Sequence, residues 1–203
     1  FFLSAGGEIH GKIKFTPKVY WTRHFDRYEL FRSDPADWYT GHNYHETEVF
    51  GANLNAMTQW KLGRTSMGVE FRNEGVKSNV LGKPMKEPQD VPFEKEGQYL
   101  KSDNRSNISY FLEHNVLLRR FTLSVGVLAN YNSALNEGIH FYPGIDASYR
   151  IGDNFRLYGS WNRALRMPTF TDLYYEGKTN KGNPDLKPEE SEAFEVALKY
   201  NTY

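Results

Sequence analysis

His42-Asn43-Tyr44-His45 sets two imidazoles three residues apart in a stretch that also holds Trp38 and Tyr39. Imidazole is a common metal ligand, and Asp37, Glu46 and Glu48 are the nearby groups that could complete a site. The rings of Trp38, Tyr39 and Tyr44 could instead stack on a flat ligand, and an ordinary polar loop would use the same letters. A second candidate is the carboxylate run Glu189, Glu190 and Glu192 beside Lys187, which could hold a cation or simply be solvated. Arg163 and Arg166 stand three apart ahead of Pro168, as a loop anchor or a rim. Enzyme chemistry finds no support. There is no G-x-S-x-G elbow, no H-E-x-x-H helix and no phosphate-binding glycine loop. His114 and His140 lie in alternating segments with no nucleophile paired to them. No catalytic residue, resident metal or cofactor is expected.

These groups are positioned by strands. Phe121, Leu123, Val125, Val127, Ala129 and Tyr131 share one parity in 119–131, and Phe50, Ala52, Leu54, Ala56, Trp60 and Leu62 share one in 48–62. Alternation also marks 65–77, 105–117, 139–150 and 154–163, more loosely 7–14 and 18–31. Period 2 is the signature of half-buried antiparallel strands. Residues 182–200 begin like a helix, with Pro188 ahead of a run of glutamates. Yet Phe194, Val196, Leu198 and Tyr200 fall on one face only at period 2, so 191–203 reads as a strand.

Short turns are expected near 15–18, 63–64, 118–119 and 152–153, and long links at 32–47, 80–104, 133–138 and 166–190. Short and long alternate, which gathers the long ones at one end of an up-and-down sheet. The strands run to about 11–14 residues against about 5–6 in soluble proteins, and a membrane-spanning strand needs about 9–11. Trp60, Tyr131, Tyr149 and Tyr200 fall near strand ends, where membrane barrels place aromatic girdles. A soluble barrel or sandwich would alternate too, with the apolar face turned inward. The pattern alone leaves both open.

Composition narrows the partners. Twenty-five basic and 25 acidic residues among 203 leave no net field to recruit nucleic acid. Cysteine is absent, which removes disulfides and thiolate metal sites. Aromatics make up 16% while mean hydropathy is −0.69, as strands with one apolar face require.

Two boxes carry a resemblance. Arg163-Ala164-Leu165-Arg166-Met167-Pro168-Thr169-Phe170-Thr171-Asp172-Leu173-Tyr174 resembles R-x-P-T-x-x-x-L-Y. Gly182-Asn183-Pro184-Asp185-Leu186-Lys187-Pro188-Glu189, with Ser191 and Glu195, resembles G-N-P-x-L-K-P-E-x-S-x-x-x-E. Both belong to the TonB-dependent outer-membrane receptor family. Asn43–Thr47 and 68–82 are similar to receptors of the Bacteroidetes group. The resemblance implies an all-β fold, an antiparallel up-and-down meander of eight or nine long strands within a barrel of about 22. Residues 1–203 would then be an internal slice of the barrel, without plug domain, energy-coupling segment or last strands, in the outer membrane of a Gram-negative bacterium. It implies TonB, the lipid bilayer and a small metal chelate or vitamin as partners, with ferric siderophore, cobalamin, other chelates and glycans as possible cargo. Ligand contacts are expected from Trp38, Tyr39, His42, Tyr44, His45, Tyr99, Tyr174 and Tyr175. Haem-uptake members carry a histidine between the boxes, and residues 164–183 hold none. The alternative is a soluble all-β module that binds carbohydrate.

Overall fold

The computed structural model describes every residue except 34, 35, 40, 96, 136, 137, 178, 202 and 203. The chain runs β1 (Phe2–Gly6), β2 (Ile13–Tyr28), β3 (Asn43–Trp60), β4 (Gly63–Ser78), β5 (Lys83–Asp90), β6 (Gln98–Leu117), β7 (Phe121–Asn132), β8 (Ile139–Ile151), β9 (Phe155–Arg166), α1 (Phe170–Tyr174) and β10 (Glu189–Tyr200). All strands join one antiparallel sheet in the order β1-β2-β3-β4-β6-β7-β8-β9-β10, with β5 added on β6. The expected meander is present. β1 and β10 each pair on one side only, so the sheet is open.

Register keeps the two faces apart. Val19, Ala52, Phe71, Ile108, Tyr131 and Ile139 form one cross-strand row, and Ala56, Met67, Leu112, Val127 and Pro143 another. The row between them in level but on the other face is Lys18, Asn53, Glu70, Ser109, Asn130 and His140. The apolar face is exposed: Leu112 shows 51% of its surface and Val196 82%. The polar face is cross-linked instead. Tyr20 donates to Glu70 at 2.9 Å, and Asn130 and Asn132 both donate to Asn107, at 3.0 and 3.3 Å. Among the described residues the buried hydrophobics are Val76, Leu81, Val91, Tyr99, Tyr142 and Leu173. Most of these belong to the long-link end.

Five expectations are corrected. Of the strand expected at 7–14, residues 7–12 are a connection, bridged to β2 through Ile9 and Phe15, while Ile13 and Lys14 open β2, and the turn expected at 15–18 lies inside that strand. Pro17 permits this because its missing N–H points toward β1 where β1 has already ended. The turn near 63–64 is Lys61-Leu62, since Trp60 pairs with Gly63. Gly63 opens β4 at φ +137°, and an added Cβ would strike the Asn115 carbonyl. Links 32–47 and 80–104 are shorter than expected, because β3 begins at Asn43, β6 at Gln98, and β5 lies between. These extensions run past the apolar band and carry no alternation to read. Link 166–190 contains α1. The strand expected over 191–203 is β10, with its last two residues outside the described ones. No described helix is long and apolar enough to cross a membrane.

Gly63→Ala is expected to destabilise the β3–β4 hairpin by more than about 1 kcal/mol, through both the clash and the left-handed backbone. Denaturant midpoints of the whole folded protein would measure it.

Candidate functional site

The chain leaves β9 through Pro168, which cannot continue the ladder. Thr169 then caps α1 reciprocally: Asp172 N donates to its hydroxyl at 3.1 Å, and Thr169 N donates to the Asp172 carboxylate at 2.8 Å. The Thr169 backbone N–H holds the Asp172 carboxyl below its ordinary value. The second box closes against this turn. Asn183 N donates to Asp172 O at 3.0 Å, and Asp185 N to the Asn183 side chain at 3.0 Å. Gly182 is forced by proximity, because a Cβ there would sit 2.8 Å from the backbone of Leu173 and Tyr174. Arg166 grips its cross-strand partner Glu189 through two bonds, at 2.9 and 2.7 Å, while Arg163 reaches Glu190 and Glu192 at 3.2 and 3.4 Å. The two boxes are one structural unit. Glu189, Glu190 and Glu192 are each paired with an arginine.

That unit lies across the polar side of the sheet. Arg105 of β6, 7% exposed, donates to Pro168 O at 2.6 Å and to Glu74. Its guanidinium also stands 4.9 Å from the centroid of the Phe170 ring. Tyr174 donates to Asp103 at 2.6 Å, and burial together with that carboxylate pushes its phenol up to about 12. A segment leaving β9 is thus docked on β6 and β4.

Beyond the docked helix the structure opens into a cavity of about 540 Å³. Its wall is His24, Asp26 and Tyr28 of β2 with His45 of β3 and Val76 of β4, and its other side is Phe170, Thr171 and Tyr175. Even positions of β2 and odd positions of β3 share the polar face, which is why these side chains converge.

The candidate residues separate into groups. His45 and Tyr175 line the cavity, while Tyr174 turns away to Asp103. Tyr44 and His45, expected in a loop, belong to β3, so they point to opposite faces. His42 therefore parts from His45. It bonds the Tyr39 hydroxyl at 2.9 Å and sits 6.3 Å from the Tyr44 ring, in a cluster completed by Phe31 and Trp38. His45 instead bonds Ser78 at 2.8 Å. Tyr99, also expected in a loop, lies in β6 and is 2% exposed, out of reach of a ligand in this conformation. Among the described residues no three His, Asp or Glu groups are placed to hold a metal ion. Sequence reasoning passed over His24, Asp26 and Tyr28, although their shared parity in 18–31 marked one face. It also passed over Arg105.

Gly182→Ala and Arg105→Gln are each expected to loosen 167–188 by about 1–3 kcal/mol, seen as faster amide exchange at Leu173 and Asn183. A free tyrosine titrates near 10, whereas docked Tyr174 keeps its proton to about 12. Docking is therefore fully favoured below pH 10 and is lost as pH rises toward 12. Difference absorbance between the wild type and Tyr174→Phe isolates that phenolate, and Asp103→Asn should lower its midpoint.

Comparison with known proteins agrees with this geometry. The model of the family described as TonB dependent receptor-like, beta-barrel matches residues 5–202. The vitamin B12 transporter BtuB of Photobacterium profundum is 26% identical over 102 residues, covering 50% of this chain and 16% of that protein. A mutant of the ferric enterobactin receptor PfeA from Pseudomonas aeruginosa superposes with a TM-score of 0.73 at 17% identity, over 99% of this chain and 32% of its own. The copper transporter OprC gives 0.72 at 14% identity, over 99% and 36%. The chain thus spans a sixth to about a third of the proteins it matches, and the structural likeness is one of fold. With the family model matched along nearly its whole length, the chain belongs to the TonB-dependent receptor family, in its β-barrel domain.

Proposed function

We propose that this chain is part of the wall of an outer-membrane transport receptor of a Gram-negative bacterium. The receptor binds a scarce nutrient, a ferric siderophore or cobalamin, and imports it with energy delivered through TonB. The observation that carries the reading is the family match over 5–202 on a sheet whose exposed face is the apolar one. A soluble carbohydrate-binding module would turn that face inward, whereas here Leu54, Leu112, Val127 and Phe194 stand outward. Hydrocarbon is the medium that suits such a face, with Trp60, Tyr149 and Tyr200 at the strand ends as interfacial anchors. The cavity under α1 and the ring cluster around His42 are the places offered to cargo.

Uptake of radiolabelled cobalamin and of a radiolabelled ferric siderophore, in cells stripped of their own receptors, tests the function. One of the two should accumulate only in cells with intact TonB, and accumulation indifferent to TonB would refute the proposal. Leu112→Arg, in the middle of the apolar face, is expected to cost about 2–4 kcal/mol of stability in phospholipid vesicles. Ser124→Arg on the polar face should cost less in the same urea titration.

A further inference from the structure

The cavity under α1 has a charge of one sign. Among the described residues that line it Asp26 is the carboxylate, and none is a lysine or an arginine. The nearby described cations are each held by a carboxylate or a carbonyl. Arg23 and Lys77 share Glu46, at 2.7 and 3.9 Å, and Arg27 lies between Glu29 and Glu94, at 2.6 and 2.9 Å. Lys83 faces Asp103 at 3.4 Å, and Arg105 is held by Glu74 and the Pro168 carbonyl. Lys101 does not line the cavity, and its ammonium is held at the rim by the Val80 carbonyl at 3.2 Å. An anionic group entering here would leave water for a carboxylate and meet no lysine or arginine among the described lining residues, an arrangement that disfavours it.

The same walls suit a cation. Asp26 and His24 are exposed to the cavity, and Tyr28, Phe170 and Tyr175 bring aromatic rings to it. A carboxylate combined with ring faces is the chemistry that holds a protonated amine: the carboxylate supplies the charge and the rings supply cation–π attraction without competing for water. The volume of about 540 Å³ is that of a pocket for a ligand-sized group.

We propose that this cavity is a subsite for a positively charged, amine-bearing group, so that the receptor favours cationic over anionic cargo. The inference rests on the reading of the chain as part of a transport receptor, and it names the charge class that the reading leaves open. The Asp26 carboxylate is the residue that sets the preference. His45, tied to Ser78 on the β3 wall, and Thr171 on α1 supply polar edges for orientation.

The test uses the whole receptor purified in detergent, with benzylammonium, benzyl alcohol and benzoate as matched probes followed by ligand-observed magnetic resonance. Benzylammonium should bind, benzoate should not, and Asp26→Asn should weaken benzylammonium about tenfold while leaving benzyl alcohol unchanged. Tyr28→Leu, which removes one ring and no charge, should weaken benzylammonium a few fold. Absence of benzylammonium binding, equal binding of benzoate, or indifference to both substitutions would overturn the proposal. These probes read the pocket without uptake. Failure here therefore leaves the TonB-dependent accumulation assay standing, and failure of that assay leaves this one readable.

Discussion

The antiparallel register is the constraint on which everything else rests. Because side chains alternate strictly along each strand, a slip of one residue in any pair would send Leu112 or Val127 to the polar face and Glu113 or Ser124 to the apolar one. The register is enforced from both faces. On one, rows such as Ala56, Met67, Leu112 and Val127 stay continuous across β3, β4, β6 and β7. On the other, Asn107 accepts from both Asn130 and Asn132, and Tyr20 lies over Gly51 to reach Glu70. Polar bonds there do what packing does in a globular core.

From that register follows the position of the cavity. His24 and Asp26 meet His45 because β2 and β3 pair residue for residue to the ends of both strands. The opposite wall needs a separate device, since α1 follows β9 and must cross to β6 and β4. Arg105 supplies it, binding the Pro168 carbonyl, the Glu74 carboxylate and the Phe170 face at once. Three contacts converge on one guanidinium, which a lysine could not reproduce.

How much of this was legible depends on where apolar residues run out. Within the band from Phe50 to Trp60, or from Phe121 to Tyr131, alternation placed the strands with little error. Past the band, Asn43–Thr47 and Gln98–Asn104 are equally extended but carry no sustained apolar alternation, so β3, β5 and β6 were cut short or missed. The same blindness put Tyr44 and His45 in a loop and hid the fact that neighbours in a strand face apart. Gly182, Pro188 and the arginine–glutamate spacing were readable as a pattern, yet their docking partner Arg105 lies 63 residues from Pro168. Contacts at that separation leave no local periodicity. The misplaced turn at Pro17 has another cause, a proline tolerated inside a strand because its neighbour strand had already ended.

The scarcity of buried hydrophobics has a calorimetric meaning. In most proteins unfolding carries apolar side chains from a dry interior into water, and the heat capacity rises steeply as it does so. Here Phe50, Leu54, Leu112, Val127, Phe141 and Val196 are outside before unfolding begins. With hydrocarbon against that face these side chains are dry without an interior, and because an unpaired strand cannot remain in hydrocarbon, losing the sheet delivers them to water. The heat-capacity increment of unfolding is therefore supplied by the outer face of the sheet rather than by a core.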